Sequence, residues 1–237
     1  MLSSRSLLNN PRLRLAVSCF ILAFCSLNYE FLLAQMMSIL GGHTVLFYCL
    51  TTGVYIFALG VGALVAVDEL GRQEVESRLF RVEMSLCLLG GGAPLWLTLM
   101  GRAMNLAWQG VPPPVMVAMI PHGALVIAIG FLSGMELPLL MRLGELAQVK
   151  STVTKLLVVD YLASFVGALS FPLVLFPAMG MVRVAALLAL MNLYAVLLSV
   201  PMPAKSWRFS AVILSASSAL VIYWQGDTIS RWLSHYL

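Results

Sequence analysis

The chain has 237 residues, of which 61% are hydrophobic and only 10% are charged, and its mean hydropathy is +0.96. Because about a quarter of the residues in a water-soluble domain are charged, this composition excludes an ordinary soluble fold and indicates an integral membrane protein. The net charge is +4, and the distribution of the basic residues along the chain is more informative than their sum.

Long apolar runs recur from end to end. A helix needs about 20 apolar residues to cross about 30 Å of hydrocarbon, and about seven segments meet this requirement. In chain order they cover residues 15–40, 43–67, 84–101, 115–138, 156–177, 182–200 and 209–225. Since open strands would leave backbone groups unpaired in lipid, we predict an all-α, polytopic transmembrane helix bundle.

The two ends of the chain are predicted to flank this transmembrane domain, which covers residues 15–225. Residues 1–14 form a basic tail, and no small-residue cleavage site follows the first apolar run. We therefore expect that run to be a retained span and not a signal peptide. Residues 226–237 carry an apolar stripe and are predicted to form a short amphipathic helix at the membrane surface, capped by Asp227 or Thr228.

Lys and Arg residues are divided unequally between the two ends of the predicted spans. Eleven lie on the side of the N-terminus, and three, Arg102, Arg183 and Arg231, lie on the other side. Because basic loops stay in the cytoplasm, we predict a cytoplasmic N-terminus. An odd number of spans would then place the C-terminus outside.

Ionisable residues inside the predicted spans are candidates for function, because a charge at the centre of a bilayer costs about 3 kcal/mol. They are Glu30, His122, Glu136 and Asp160. Glu30 and His122 lie at similar depths in spans 1 and 4, so the sequence allows a contact between them. Alternatively, Glu30 is protonated or hydrogen-bonded to a neighbouring helix and only organises packing. We favour Glu30 as the residue with a role beyond packing.

Glu136 and Asp160 lie near the cytoplasmic ends of two consecutive spans. The segment between them carries Arg142 and Lys155, and we interpret these as charge partners that anchor the two acids at the interface. Pro138 is expected to end or kink span 4 directly after Glu136.

Small residues predict close helix packing in two spans, because they let neighbouring backbones approach. They are Gly53, Gly60 and Gly62 in span 2, and Ala163, Ser164 and Gly167 in span 5, on the face that also carries Asp160. The four cysteines lie inside apolar runs and are interpreted as small packing residues. Their spacing indicates neither a disulfide framework nor a metal site.

Several motifs occur in the order found in one bacterial family. They are NYEFLLAQMMSILGG in span 1, FALGVGALV in span 2, GFLSGMELPLLMR in span 4 and the segment beginning DYLASFVGALSFP in spans 5 and 6. Over about residues 13–225 the chain resembles the N-terminal membrane region of bacterial membrane-bound spermidine synthase-like proteins, which are polyamine aminopropyltransferases. In that family a helical bundle precedes a soluble, Rossmann-like catalytic domain. The resemblance implies a location in the bacterial inner membrane.

The catalytic half of that family has no counterpart in the motifs of this chain. The glycine clusters at 60–62 and 90–92 lie within apolar runs and do not follow a strand, so they do not match a nucleotide-binding loop. We predict no catalytic residue and no cofactor. The chain ends about where the catalytic domain would begin, and residues 226–237 are expected to lead toward such a domain.

Three functions remain open from the sequence. The first is a membrane anchor or docking module whose partners are the lipid bilayer and a soluble aminopropyltransferase domain or other membrane subunits, with no nucleic acid. The second is a transporter or channel for a polyamine or a related small cation, with the four ionisable residues along its path. The third is a structural subunit of a larger membrane complex or a homo-oligomer, held together by the small-residue faces.

Overall fold

The computed structural model describes residues 10–41, 44–66, 71–108, 115–149, 152–200 and 206–229, and these ranges are helical without strands. The helices are α1 (Pro11–Gly41), α2 (Thr44–Val65), α3 (Arg72–Leu89), α4 (Ala93–Ala107), α5 (Val115–Leu146), α6 (Thr152–Ser170), α7 (Phe176–Ser199) and α8 (Ser206–Trp224), with a π-helical turn (Phe171–Leu175) joining α6 to α7. The predicted all-α class is confirmed.

Four helical segments in the described ranges are long and apolar enough to cross a membrane. They lie in α1, α2, α5 and the continuous stretch Thr152–Ser199. α3 and α4 would together form a fifth, although they meet at a bend of 54°. α8 is also apolar, but the part of it whose side chains are described, Ser210–Trp224, is shorter than these candidate spans. The predicted number of about seven spans is therefore not confirmed.

Two predicted boundaries differ from the helix ends that the structure shows. The sequence predicts the third span at 84–101, but α3 begins at Arg72 and the glycines at 90–92 separate it from α4. The charged first half of α3 is helical because its apolar residues recur at helical spacing, so one face can be buried. Of the two effects expected of Pro138, an end of the helix is not observed, because α5 continues to Leu146; a kink stays a prediction. A proline removes one backbone hydrogen bond, and neighbouring helices compensate for that loss in a packed bundle.

The stretch from α6 to α7 is interrupted at Gly180. Its φ of 69° and ψ of 172° lie outside the helical region, and glycine adopts a positive φ without steric cost. As one straight helix, the 48 residues of Thr152–Ser199 would measure about 70 Å, more than twice the thickness of a bilayer core. Gly180 therefore divides the stretch between the predicted spans 156–177 and 182–200.

Helix α1 lies at the centre of the bundle and contacts α2, α5, α6 and α7. Its buried residues include large apolar side chains and also polar ones, among them Ser18, Asn28 and Glu30. The polar side chains of α1 therefore face other helices and must be satisfied by groups inside the protein.

The outer surface is apolar and the interior holds carboxyl groups. Phe57 is 72% exposed, Leu64 79% and Tyr161 71%, whereas Glu83 is 0% and Glu136 4% exposed. Soluble proteins show the opposite arrangement, since their carboxylates are almost never fully buried and their exposed apolar patches are small. This reversed distribution of polarity fits a surface that faces lipid.

Helices α2 and α5 approach each other at small residues. A Cβ atom on Gly134 would lie 2.0 Å from the carbonyl oxygen of Leu59, and one on Gly62 would lie 2.0 Å from the carbonyl oxygen of Phe131. Of the three predicted packing glycines of α2, Gly62 therefore lies in close contact with α5. Gly53 and Gly60 have no neighbouring atom within 4 Å of such a position.

The last described residues, 226–229, form one helical turn after α8. Here Asp227 accepts a hydrogen bond from the guanidinium of Arg183 over 2.6 Å. Residues 230–237, which hold most of the predicted amphipathic helix, lie outside the described ranges, as do residues 1–9 of the predicted basic tail.

We predict that Gly134→Ala lowers the thermal stability of the detergent-purified protein, whereas Gly60→Ala does not. The added methyl on Gly134 meets backbone that cannot rotate away, and overpacking costs about 1–3 kcal/mol. This exceeds the gain of about 1 kcal/mol that alanine brings to a helix. Equal melting temperatures for the two variants would contradict the close α2–α5 contact.

Candidate functional site

A cavity of about 210 Å³ lies between α1, α2, α5 and α6. We call it the acidic cavity, because three carboxylic acids from three helices line it: Glu30, Glu136 and Asp160. The remaining polar lining consists of hydroxyl groups, from Ser26, Tyr55, Ser133 and Ser164. Two of the acids belong to the helices that the sequence expects to pair through their cytoplasmic ends.

Glu136 on α5 is the most deeply buried acid of the cavity. It is 4% exposed, and its Oε1 atom has no hydrogen-bond partner among the described residues. The charges that act on it come from two other acids, Glu83 and Asp160. A buried carboxyl group is costly unless it is neutral, paired or hydrogen-bonded, so Glu136 retains an unmet capacity to accept a hydrogen bond.

Glu30 and Asp160 line the same cavity from α1 and α6. Glu30 is 6% exposed, and the side chain of Thr52 on α2 lies close to its carboxyl group. Asp160 is only half-buried. The three acids therefore lie in a gradient of exposure, with Asp160 the most accessible.

Tyr55 connects α2 to α1 beside the acids. Its hydroxyl donates to the backbone oxygen of Ser26 over 2.9 Å, and the Ser26 hydroxyl lies 3.1 Å away. Tyr55 is 1% exposed and lies within electrostatic range of both Glu136 and Glu30. This phenol therefore links α2 to α1 in the wall of the cavity.

A second polar cluster lies close to Glu136, deeper in the bundle. Glu83 on α3 is fully buried, and neither of its carboxyl oxygens has a hydrogen-bond partner among the described residues. The hydroxyl of Tyr29 is likewise unpartnered and lies within electrostatic range of Glu83 and Glu136. The amide of Asn192 on α7 is also buried without a partner in the described part of the chain.

Sequence reasoning missed Glu83, because the predicted third span begins one residue after it. A signal was present in the spacing. Val75, Leu79 and Leu86 recur at helical intervals with Glu83, and all four are buried. An acid on the apolar face of an amphipathic helix indicates burial, although half of that helix is strongly charged.

The other predicted site residues lie around the cavity rather than in it. His122 on α5 is buried at 3% exposure and is absent from the cavity lining. Its contact with Glu30 stays a prediction. Arg142 donates to Glu145, one turn further along α5, over 3.2 Å, and Lys155 is exposed near the start of α6. Their pairing with Glu136 or Asp160 also stays a prediction.

The predicted packing face of α6 lies against α1. Ala163 is fully buried, and a Cβ atom on Gly167 would lie 3.0 Å from the side-chain nitrogen of Asn28. Ser164 is half-buried and lines the acidic cavity. This face therefore both packs on α1 and forms one wall of the cavity.

No group of three or more His, Cys, Asp or Glu side chains in the described ranges has the arrangement of a metal site. The three acids of the cavity are therefore not arranged to hold one ion together. What the arrangement offers chemically is a set of separate negative or hydrogen-bond-accepting positions along a narrow space.

Comparison with known proteins gives matches over most of the chain. Polyamine aminopropyltransferase 2 of Ralstonia nicotianae is 30% identical over 229 residues, which are 95% of this chain and 42% of the relative. The polyamine aminopropyltransferase of Leptospira interrogans is 29% identical over 88% of this chain, and polyamine aminopropyltransferase 1 of Streptomyces coelicolor is 33% identical over 78%. The chain is related to the polyamine aminopropyltransferases.

This relationship confirms the resemblance to spermidine synthase-like proteins seen in the sequence motifs. The chain spans between 33% and 42% of the length of these three polyamine aminopropyltransferases. No protein-family model and no solved structure matches the chain.

We predict that Glu83→Met leaves the thermal stability of the purified protein unchanged or raises it. Replacing buried charged groups by apolar side chains of similar volume is often neutral or stabilising, by about 1–4 kcal/mol. Leu79→Ala, one turn earlier on the same buried face, is the control and should cost about 2–5 kcal/mol. A loss in Glu83→Met as large as in Leu79→Ala, in thermal unfolding followed by circular dichroism, would show instead that Glu83 is required for folding.

Proposed function

We propose that the chain is a multi-pass membrane module of the polyamine aminopropyltransferase family, which anchors or docks an aminopropyltransferase at the bacterial inner membrane. The reversed distribution of polarity carries the membrane part of this proposal, since exposed side chains such as Phe57 and Leu64 have no reason to face water. The relatives' name supports the family part, because the matches extend over as much as 95% of the chain.

Two contacts support a path of seven crossings. Arg14, at the start of α1, donates to the backbone oxygen of Leu198, near the end of α7, over 2.8 Å. Arg183, near the other end of α7, pairs with Asp227, which follows α8. α8 thus leads from the end of the bundle that holds Arg14 to the opposite end. In this path α3 and α4 form one bent crossing, and Gly180 separates α6 and α7 into two crossings. The chain then crosses the membrane seven times.

Basic residues support a cytoplasmic location for the end that holds Arg14. Arg14 and Arg72 lie together with Leu143 and Ser199 around a small cleft at this end of the bundle. Arg142 immediately precedes Leu143 in the sequence. Since basic segments are retained in the cytoplasm, the N-terminus is cytoplasmic in this proposal, and Asp227 lies at the periplasmic end.

Reporter fusions test this orientation. Alkaline phosphatase, which is active only outside the cytoplasm, should be inactive when fused after Gln148 and active when fused after Ile229. A fluorescent protein that folds only in the cytoplasm should give the reverse pattern. Phosphatase activity from the Gln148 fusion would contradict the proposed orientation.

Membrane insertion and docking are tested on the same tagged chain. We expect it to resist extraction by alkaline carbonate and to dissolve only with detergent, because its apolar outer surface needs lipid or a substitute. A polyamine aminopropyltransferase of the same cells should co-purify with it in mild detergent. Extraction without detergent would overturn the membrane proposal, and co-purification of no aminopropyltransferase would overturn the docking role alone.

The acidic cavity favours a second candidate function, the transport of a small cation. Acids inside a membrane bundle commonly mark ion or substrate pathways. Proteoliposomes that contain the chain would then accumulate labelled putrescine, and Glu30→Gln would abolish the uptake. Absence of uptake in vesicles with correctly inserted protein would reject this candidate and leave the anchoring role untouched.

A further inference from the structure

We propose that the acidic cavity is a binding site for an unbranched aliphatic polyamine. One ammonium group of the ligand would meet Glu136 and Asp160, and another would meet Glu30. The choice of a polyamine among organic cations rests on the proposed function, whereas the site itself is argued from the geometry of this chain.

The lining of the cavity is acidic, and no basic side chain balances it. It contains three acids and no Lys, Arg or His among the described residues. Concave sites lined by one sign of charge inside low-dielectric walls concentrate ligands of the opposite sign. The ligand of this cavity is therefore a cation.

Glu136 supplies the second observation that points to a ligand. Its side chain is buried to more than nine-tenths and lines the cavity, and its Oε1 atom has no hydrogen-bond partner within the described ranges. An alkylammonium group carries several N–H donors and a positive charge. Such a group would satisfy Oε1 and offset the repulsion from Asp160 and Glu83.

The spacing of the acids matches a chain of charges better than a single ion. Cys19 on α1 contacts Leu156 on α6 through an Sγ–oxygen distance of 3.5 Å, which places Asp160 level with about residue 23 of α1. Glu30 lies seven residues further, or about 10 Å along the helix axis. Glu136 lies within electrostatic range of Asp160, and Tyr55 lies within range of both Glu136 and Glu30.

A metal ion does not fit this spacing. The three acids do not form a group that could ligate one ion. No other group of acidic, His and Cys side chains in the described ranges does so either. An extended molecule with two or three separate ammonium groups can contact the acids one after another, and it carries its own spacer between the charges.

The walls between the acids are apolar and narrow. Leu22, Ala23, Leu59 and Ala63 line the cavity between its polar groups, and they would contact the methylene segments of a polyamine. The volume of about 210 Å³ lies below the range of about 300–1,000 Å³ for sites of drug-sized ligands. An unbranched chain without rings fits such a space.

The proposal is tested by isothermal titration of the full chain in lipid nanodiscs with putrescine and with spermidine. We expect saturable binding at one site per chain, and at least tenfold weaker binding for Glu136→Gln. The matched control is Glu145→Gln, which removes an exposed acid on the same helix and should bind as tightly as the parent. Butanediol, which has the spacer without the charges, should not bind.

A steric variant protects the test against misfolding. Ala63→Phe fills the cavity without removing an acid and should also weaken spermidine binding at least tenfold, while the melting temperature in nanodiscs stays close to that of the parent. Equal weakening in Glu145→Gln, full competition by Mg²⁺, or unchanged binding in both Glu136→Gln and Ala63→Phe would each overturn the site.

These results are separable from those on the proposed function. A chain that resists carbonate extraction and captures an aminopropyltransferase, but binds neither amine, overturns the polyamine site only. A chain that binds spermidine through Glu136 but captures no aminopropyltransferase upholds the site and overturns the docking role.

Discussion

One feature shapes the whole bundle: carboxyl groups lie inside it, where each is costly unless it is neutral, paired or hydrogen-bonded. Helix α1 lies at the centre and contacts four other helices, and its Glu30 is only 6% exposed. Glu83 and Glu136 converge from α3 and α5 on the same interior. The helices therefore surround a set of acids rather than a purely apolar core, and their mutual positions determine which acids remain available.

The close contact between α2 and α5 and the acidic cavity are parts of one arrangement. Gly134 meets the backbone of α2 two residues before Glu136, and Gly130 approaches the backbone oxygen of Tyr55. Small residues on one face of α5 thus bring α2 near enough for Tyr55 to reach α1. Glu136, two residues after Gly134, lines the same cavity as Asp160 of α6. Packing and placement of the polar groups use neighbouring residues of the same helix, so a change in one displaces the other.

The sequence was sufficient for the helical class and for three of the acids, because composition and apolar runs depend only on local residues. It was not sufficient for Glu83, since the charged first half of α3 hides the buried face on which that residue lies. Gly53 and Gly60 resemble packing glycines in sequence, but they lie on the open side of α2. Which face of an apolar helix meets protein is decided by its neighbours, and the hydrophobic pattern of such a helix is nearly uniform around its circumference.

In the membrane arrangement proposed above, the break at Gly180 has a consequence for how the chain would insert. Between Asp160 and Arg183 the chain carries no charged residue, and the π-helical turn and Gly180 divide this stretch into two arms. The two arms, α6 and α7, can therefore enter the lipid together as a hairpin. No charged side chain before Arg183 would have to cross the hydrocarbon during this step. Biogenesis of this half of the bundle then needs no separate topogenic signal for α7, because its orientation follows from that of α6.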